Sequence, residues 1–76
     1  MISPDATLDA SGMNCPLPIL HTKKSIGKLA SGQVLQVTAT DPGSVKDMEA
    51  FCNQTGNELI ASSEVNGKYV FDIRKA

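Results

Sequence analysis

Two side chains in this sequence can supply a soft nucleophile, the thiols of Cys15 and Cys52. A thiol attacks sulfur, carbon or metal only as the thiolate, so its surroundings decide whether it reacts. Cys15 stands directly before Pro16-Leu17-Pro18. Proline lacks an N–H and fixes φ, which suits the first turn of a helix and not its interior. The two prolines therefore predict a helix that opens at Cys15. A helix start presents unpaired N–H groups and partial positive charge. In such settings a cysteine pKa falls from ~8.5 to roughly 3.5–7.5. The expectation is a reactive thiolate, and one whose persulfide, also an anion, would be held by the same helix end. Pro16 and Pro18 stiffen the turn and hold the sulfur outward. The preceding Ser11-Gly12-Met13-Asn14 is small and polar and leaves it accessible. The competing reading is an inert cysteine buried beneath Met13 and Leu17. The helix-start position favours the reactive one.

Cys52 reads differently. It falls on the apolar stripe of a second helix, after Val45 and Met48, and is expected in the core. His21 is the single histidine. It lies more than a turn and a half beyond Cys15, too far for direct base catalysis, and with only two cysteines no convincing zinc site can be assembled. Lys23 and Lys24 add at most a weak positive field at the sulfur. His21, Lys24 and Lys28 share one helix face. That stripe reads equally as solvated surface or as a docking patch for an acidic partner. Asn14 and Asp41 could hydrogen-bond near the helix mouth, although turn formation explains both.

Six elements must position these groups. Ala6 to Ala10 is predicted as a first strand. Ile19, Lys23, Ile26 and Ala30 follow at helical spacing with Leu29 beside them; the Lys23 stem would line the edge of the buried stripe, and Ser31-Gly32 would end the helix. Gln33 to Thr40 alternates as a strand. Asp41-Pro42-Gly43 is a turn, and Ser44 with Asp47 resembles a capping box for the second helix, in which Asp replaces the usual Glu. Gly56 is placed to terminate that helix. Glu58 to Val65 and Lys68 to Lys75 are strands joined by Asn66-Gly67, the sharpest hairpin signal in the chain. Tyr69, Phe71 and Ile73 take one face of the last strand, and Val70, Asp72 and Arg74 the solvated one. The order βαβαββ predicts an α/β two-layer sandwich: a four-stranded mixed sheet with two helices on one face.

Composition narrows the field. The 76 residues are 41% hydrophobic and 20% charged, which fits one globular domain over residues 1–76. So small a domain has little room for an enclosed cavity, so its chemistry belongs on the surface. Seven Lys and Arg against eight Asp and Glu give a net charge of −1. That is not the basic field nucleic-acid binding requires. Met1 to Ala10 has neither the basic start nor the apolar core of a signal peptide, and no apolar run could span a membrane. The expected compartment is the cytoplasm, where thiols stay reduced.

At Gly12-x-x-Cys15-Pro16-x-Pro18 the sequence resembles the TusA/SirA family of sulfur-carrier proteins. The match extends through Leu8-Asp9, Lys23-Lys24, Gly32, Leu35, Val37, Thr40-Asp41-Pro42-Gly43, Asp47, Phe51-Cys52, Thr55-Gly56 and Ile73-Arg74-Lys75. The resemblance implies a two-layer sandwich and a sulfurtransferase function: sulfane sulfur accepted as a persulfide on Cys15 and relayed to an acceptor protein. It implies no cofactor beyond that covalent sulfur. Donors would be cysteine desulfurases or rhodanese-like proteins, and acceptors DsrE-like or other proteins, with no direct contact to nucleic acid. Members serve sulfur oxidation, tRNA thiolation or cofactor maturation. Many members that serve tRNA thiolation carry an Arg or other polar residue around Ala10-Ser11; here the segment reads Asp9-Ala10-Ser11-Gly12, which looks closer to members outside that pathway, including those near sulfur-oxidation genes. Two other functions remain open: a thiol redox sensor pairing Cys15 with Cys52, and a noncatalytic module that binds partners through its basic stripe.

Overall fold

The computed structural model describes residues 3–76; Met1 and Ile2, where the reading for a targeting segment begins, lie outside them. Six elements follow in the order β1 (Ala6–Ala10), α1 (Leu17–Ile26), β2 (Val34–Ala39), α2 (Ser44–Thr55), β3 (Glu58–Val65) and β4 (Lys68–Arg74). The strands form one sheet in the order β1-β2-β4-β3. β1 runs parallel to β2, and β4 is antiparallel to both β2 and β3, so the sheet is mixed. Both helices pack on one face of it.

Period-2 alternation sets that face. Leu35, Val37 and Ala39 pair with Ile73, Phe71 and Tyr69 across β2 and β4. They meet Ala10, Ile26, Met48, Phe51 and Cys52 in one core. On the opposite face Gln36 donates to Asp72 at 3.2 Å, and Arg74 pairs with Glu58 at 3.0 Å. Val70, Asp72 and Arg74 lie on this outer face, where Val70 and Asp72 are half-buried. Asn66 (φ 51°) and Gly67 (φ 79°) both take positive φ, as a type I′ hairpin demands.

Three local expectations are corrected. α1 stops at Ile26, before Ser31-Gly32. Beyond Gly27 the amides of Lys28 and Leu29 bond the carbonyls of Ser25 and Ile26 at 3.2 and 3.1 Å, a tightening of the last turn. Lys75 caps this end, its ammonium 2.6 Å from the Leu29 carbonyl oxygen. Ala30 is therefore exposed and outside the helix. Lys23 is also exposed, and the buried stripe of α1 is Pro18, Thr22 and Ile26. Thr22 is tolerated there because its hydroxyl donates to the Pro18 carbonyl at 2.7 Å. Finally, Ser44 makes no capping box. Gly43 is the N-cap of α2, Ser44 is its first residue, and no side-chain cap bond forms. The carbonyl of Asp41 accepts the Ser44 N–H at 3.0 Å, and the Asp41 carboxylate accepts the Gly43 N–H at 3.2 Å. Asp47 is thereby free for another role. At the other end Gly56, in the left-handed region (φ 79°), donates its N–H to the Cys52 carbonyl at 2.9 Å and closes α2.

Candidate functional site

Because β1 and β2 are parallel neighbours, their C-terminal ends open onto the same edge of the sheet. The segment after β1 carries Cys15, and the segment after β2 carries Thr40 and Asp41. Two bonds tie them together. Gly12 N–H donates to Thr40 Oγ1 at 2.9 Å, and Cys15 N–H donates to Asp41 Oδ2 at 2.9 Å. The other Asp41 oxygen takes Gly43 N–H, so one carboxylate links the Cys15 turn to the start of α2. Leu17 N–H bonds the Asn14 carbonyl at 2.9 Å and closes the turn that presents Cys15.

Cys15 is exposed, as are Asn14 and Pro16. Pro18 instead is fully buried and anchors α1 in the core. Leu17 and Leu20 lie 45% and 55% exposed on the outer face of α1. His21, Lys23, Lys24 and Lys28 are exposed as well, with Lys23 and Lys24 in the last turn; Lys28 lies past the end of α1, so it does not share a helix face with His21 and Lys24 as expected. The lysines thus sit at the far end of the helix from Cys15.

The electrostatics reverse the expectation for Cys15. Its thiol pKa is pushed up from the ordinary cysteine value. The main cause is the neighbouring Asp47 carboxylate, which favours the protonated thiol; loss of hydration and the charge of Asp41 add to it. The helix start does not offset this, for a structural reason. Pro16 and Pro18 have no N–H, Cys15 N–H is held by Asp41, and the amides of Leu17 and Leu20 are taken by the carbonyls of Asn14 and Pro16. Few of the donors that make a helix start attractive to an anion are left free. The prolines that mark the helix mouth also strip it of donors.

Asp47 is the residue the sequence reading missed in this role. Its spacing from Ser44 suggested a cap. A better signal was available: it stands one helical turn past a loop that must lie beside Cys15 once β1 and β2 are parallel.

Cys52 is 4% exposed, and burial pushes its thiol pKa up. It lies five residues past Asp47, about 140° further round the helix. It lines a groove of about 360 Å³ with Glu49, Asn53, Asn57, Glu58 and Leu59. Cys15 is exposed on the turn before α1, whereas Cys52 is buried on α2, and both are free. This placement weighs against a sensor in which the two thiols bridge. Among the described residues no three His, Cys, Asp or Glu gather as a metal site, and no helix is long and apolar enough to cross a membrane.

Comparison with known proteins now bears on this site. The family model described as sulfurtransferase TusA matches residues 6–75. The sulfur carrier protein TusA of Allochromatium vinosum is 62% identical over 72 residues, covering 95% of both chains. That of Pseudomonas entomophila is 48% identical, covering 93% of this chain and 89% of its own. The crystal structure of a SirA-like protein from Desulfitobacterium hafniense superposes with a TM-score of 0.81 at 25% identity, covering 91% of this chain and 95% of that one.

Proposed function

The chain belongs to the TusA family of sulfur carriers, and on that premise we propose that it carries sulfane sulfur as a persulfide on Cys15 and relays it between proteins. The observation behind this reading is the contrast between the two thiols: Cys15 is exposed on a braced turn, and Cys52 is buried. A sulfur that must be reached by two successive partners belongs outside the core.

The chemistry is two thiolate displacements. The Cys15 thiolate attacks the outer sulfur of a donor persulfide. The donor's S–S bond breaks, and its inner sulfur leaves as a thiolate. The acceptor thiolate then attacks the outer sulfur on Cys15, which leaves in turn. Sulfurtransferase describes the reaction, with the donor and acceptor as its substrates. The donor is a cysteine desulfurase or a rhodanese-like protein, and the acceptor a DsrE-like protein or another protein thiol. Both dock over the Cys15 turn and the outer face of α1, where Leu17 and Leu20 supply apolar contact and Lys24, with Lys28 just beyond the helix, supplies charge. The free thiols suit a reducing compartment, the cytoplasm.

Intact-protein mass spectrometry after mixing with a persulfide-loaded rhodanese-like sulfurtransferase tests the reading. Wild type and Cys52→Ser should gain one sulfur atom, reversibly with reductant. Cys15→Ser should gain none. A wild-type chain that stays unloaded with donors of both classes would sink the carrier role.

A further inference from the structure

The parallel ladder of β1 and β2 ends at the pair Ala10 and Ala39. Beyond it the two segments stay fastened through side chains. Thr40 Oγ1 accepts the Gly12 N–H at 2.9 Å, and Asp41 Oδ2 accepts the Cys15 N–H at 2.9 Å. Two backbone bonds fold the turn on itself: Met13 N–H to the Ala10 carbonyl at 3.2 Å, and Leu17 N–H to the Asn14 carbonyl at 2.9 Å. Gly12 takes φ 79°, where a side chain would be strained, so the bend between β1 and Cys15 is built into the backbone. Cys15 is therefore exposed on a segment that is held at both ends. Exposure alone needs no such fastening. Sulfur displacement does, because the attacking sulfur must line up with the S–S bond that breaks, and small errors of aim slow such a step steeply.

We propose that Thr40 is a positioning residue for sulfur transfer: its hydroxyl oxygen, through the Gly12 N–H, fixes the Cys15 turn so that the sulfur meets a docked donor in line with the donor's S–S bond. The inference rests on the carrier reading of Cys15 and adds a residue that serves the transfer through the backbone. The step balances within the two proteins. The Cys15 S–H proton passes to solvent, and the thiolate bonds to the donor's outer sulfur. The donor's inner sulfur leaves as a thiolate and takes up a proton. One S–S bond forms as one breaks, so no oxidant or reductant enters. Docking fixes the direction of the donor's S–S bond, and the aim of Cys15 then sets the rate. A small reagent free in solution approaches from any side and is indifferent to that aim. Asp41 holds the Cys15 end of the turn, but substituting it also changes the charge of the site. Thr40 is neutral and half-buried, so its substitution alters the fastening alone.

Thr40→Val removes the acceptor oxygen and keeps the branched shape, and Thr40→Ser keeps the oxygen. Single-turnover sulfur uptake from a persulfide-loaded rhodanese-like donor is measured on the full chain over a range of donor concentrations. Iodoacetamide alkylation of Cys15 is followed beside it, by the mass of the Cys15 peptide. Thr40→Val should lower the uptake rate at saturating donor roughly fivefold, with the half-saturating concentration and the alkylation rate within about twofold of wild type. Thr40→Ala, which adds no bulk, should behave as Thr40→Val, and Thr40→Ser should recover most of the uptake rate. Hydrogen exchange should show the Gly12 amide losing protection in Thr40→Val and keeping it in Thr40→Ser, with thermal melts showing each chain folded at the assay temperature. A saturating rate within about twofold of wild type in folded Thr40→Val or Thr40→Ala overturns the proposal. So does a loss carried by the half-saturating concentration, which would make Thr40 part of the docking surface. An equal loss in alkylation also overturns it, because the sulfur would then be less available to every reagent. Failure of the carrier reading looks different: wild type itself then takes up no sulfur, and the proposal falls with it, while exchange at Gly12 still reports the Thr40 bond.

Discussion

The two cysteines show how position on one scaffold sorts identical chemistry. Cys15 precedes a helix on a turn fastened by Asp41, with its sulfur in solvent. Cys52 packs with Phe51, Met48 and Phe71. Substituting Cys52 by serine places a hydroxyl in that apolar setting, at a cost of about 1–3 kcal/mol if it stays unpaired. Cys52→Ala removes the sulfur without adding a polar atom and should cost less. Urea denaturation should rank stability as wild type, then Cys52→Ala, then Cys52→Ser, with sulfur uptake at Cys15 intact in both. If Cys52→Ser were as stable as wild type but lost uptake, Cys52 would have a chemical role that its burial does not suggest.

At the scale of elements, the site is a product of pairing. The loops after β1 and β2 meet only because the two strands are parallel neighbours. Asp41→Ala removes the acceptor for both Cys15 N–H and Gly43 N–H. It should destabilise the fold by about 1–2 kcal/mol, in the range of a lost helix cap. Hydrogen exchange should show the Cys15 and Gly43 amides losing protection, while the Gly12 amide, held by Thr40, keeps its own. Equal protection at Cys15 in wild type and variant would mean that Asp41 does not brace the turn.

The same scale explains what was legible in the chain. The alternation of β1, β2 and β4, the Asn66-Gly67 hairpin, the Gly56 terminator and the proline-marked start of α1 all follow from local rules, and the structure keeps each of them, whereas β3 is irregular at Leu59–Ala61 and largely exposed. The end of α1 was not local. It is set in part by Lys75, which reaches Leu29 from the other end of the chain. The charge around Cys15 was not local either. Read alone, Cys15-Pro16-Leu17-Pro18 promises a helix end rich in donors. In the fold the donors are occupied, and carboxylates from across the sheet edge decide the electrostatics. The exposure of Cys15 was legible, because the prolines mark a stiff turn at the mouth of α1 that keeps it out of the core.

For the molecule as a whole, smallness dictates where function can live. One core fills the space between the sheet and its two helices, with Phe71, Leu35 and Met48 its largest fully buried side chains. Phe71→Ala should cost about 3–5 kcal/mol. In a domain of this size each kcal/mol lowers the melting temperature by about 4–8 °C, so the variant should melt far below wild type and be partly unfolded at ambient temperature. Cys15 lies outside that core, and loading it with sulfur changes only exposed surface. Thermal melts of the loaded and unloaded chains should therefore agree within about 0.5 kcal/mol, the range of ordinary surface changes. A large stabilisation on loading would mean that the carried sulfur folds back against the protein and is shielded from the next partner. A carrier gains by the opposite arrangement: a scaffold indifferent to its cargo gives up the sulfur with no refolding step between donor and acceptor.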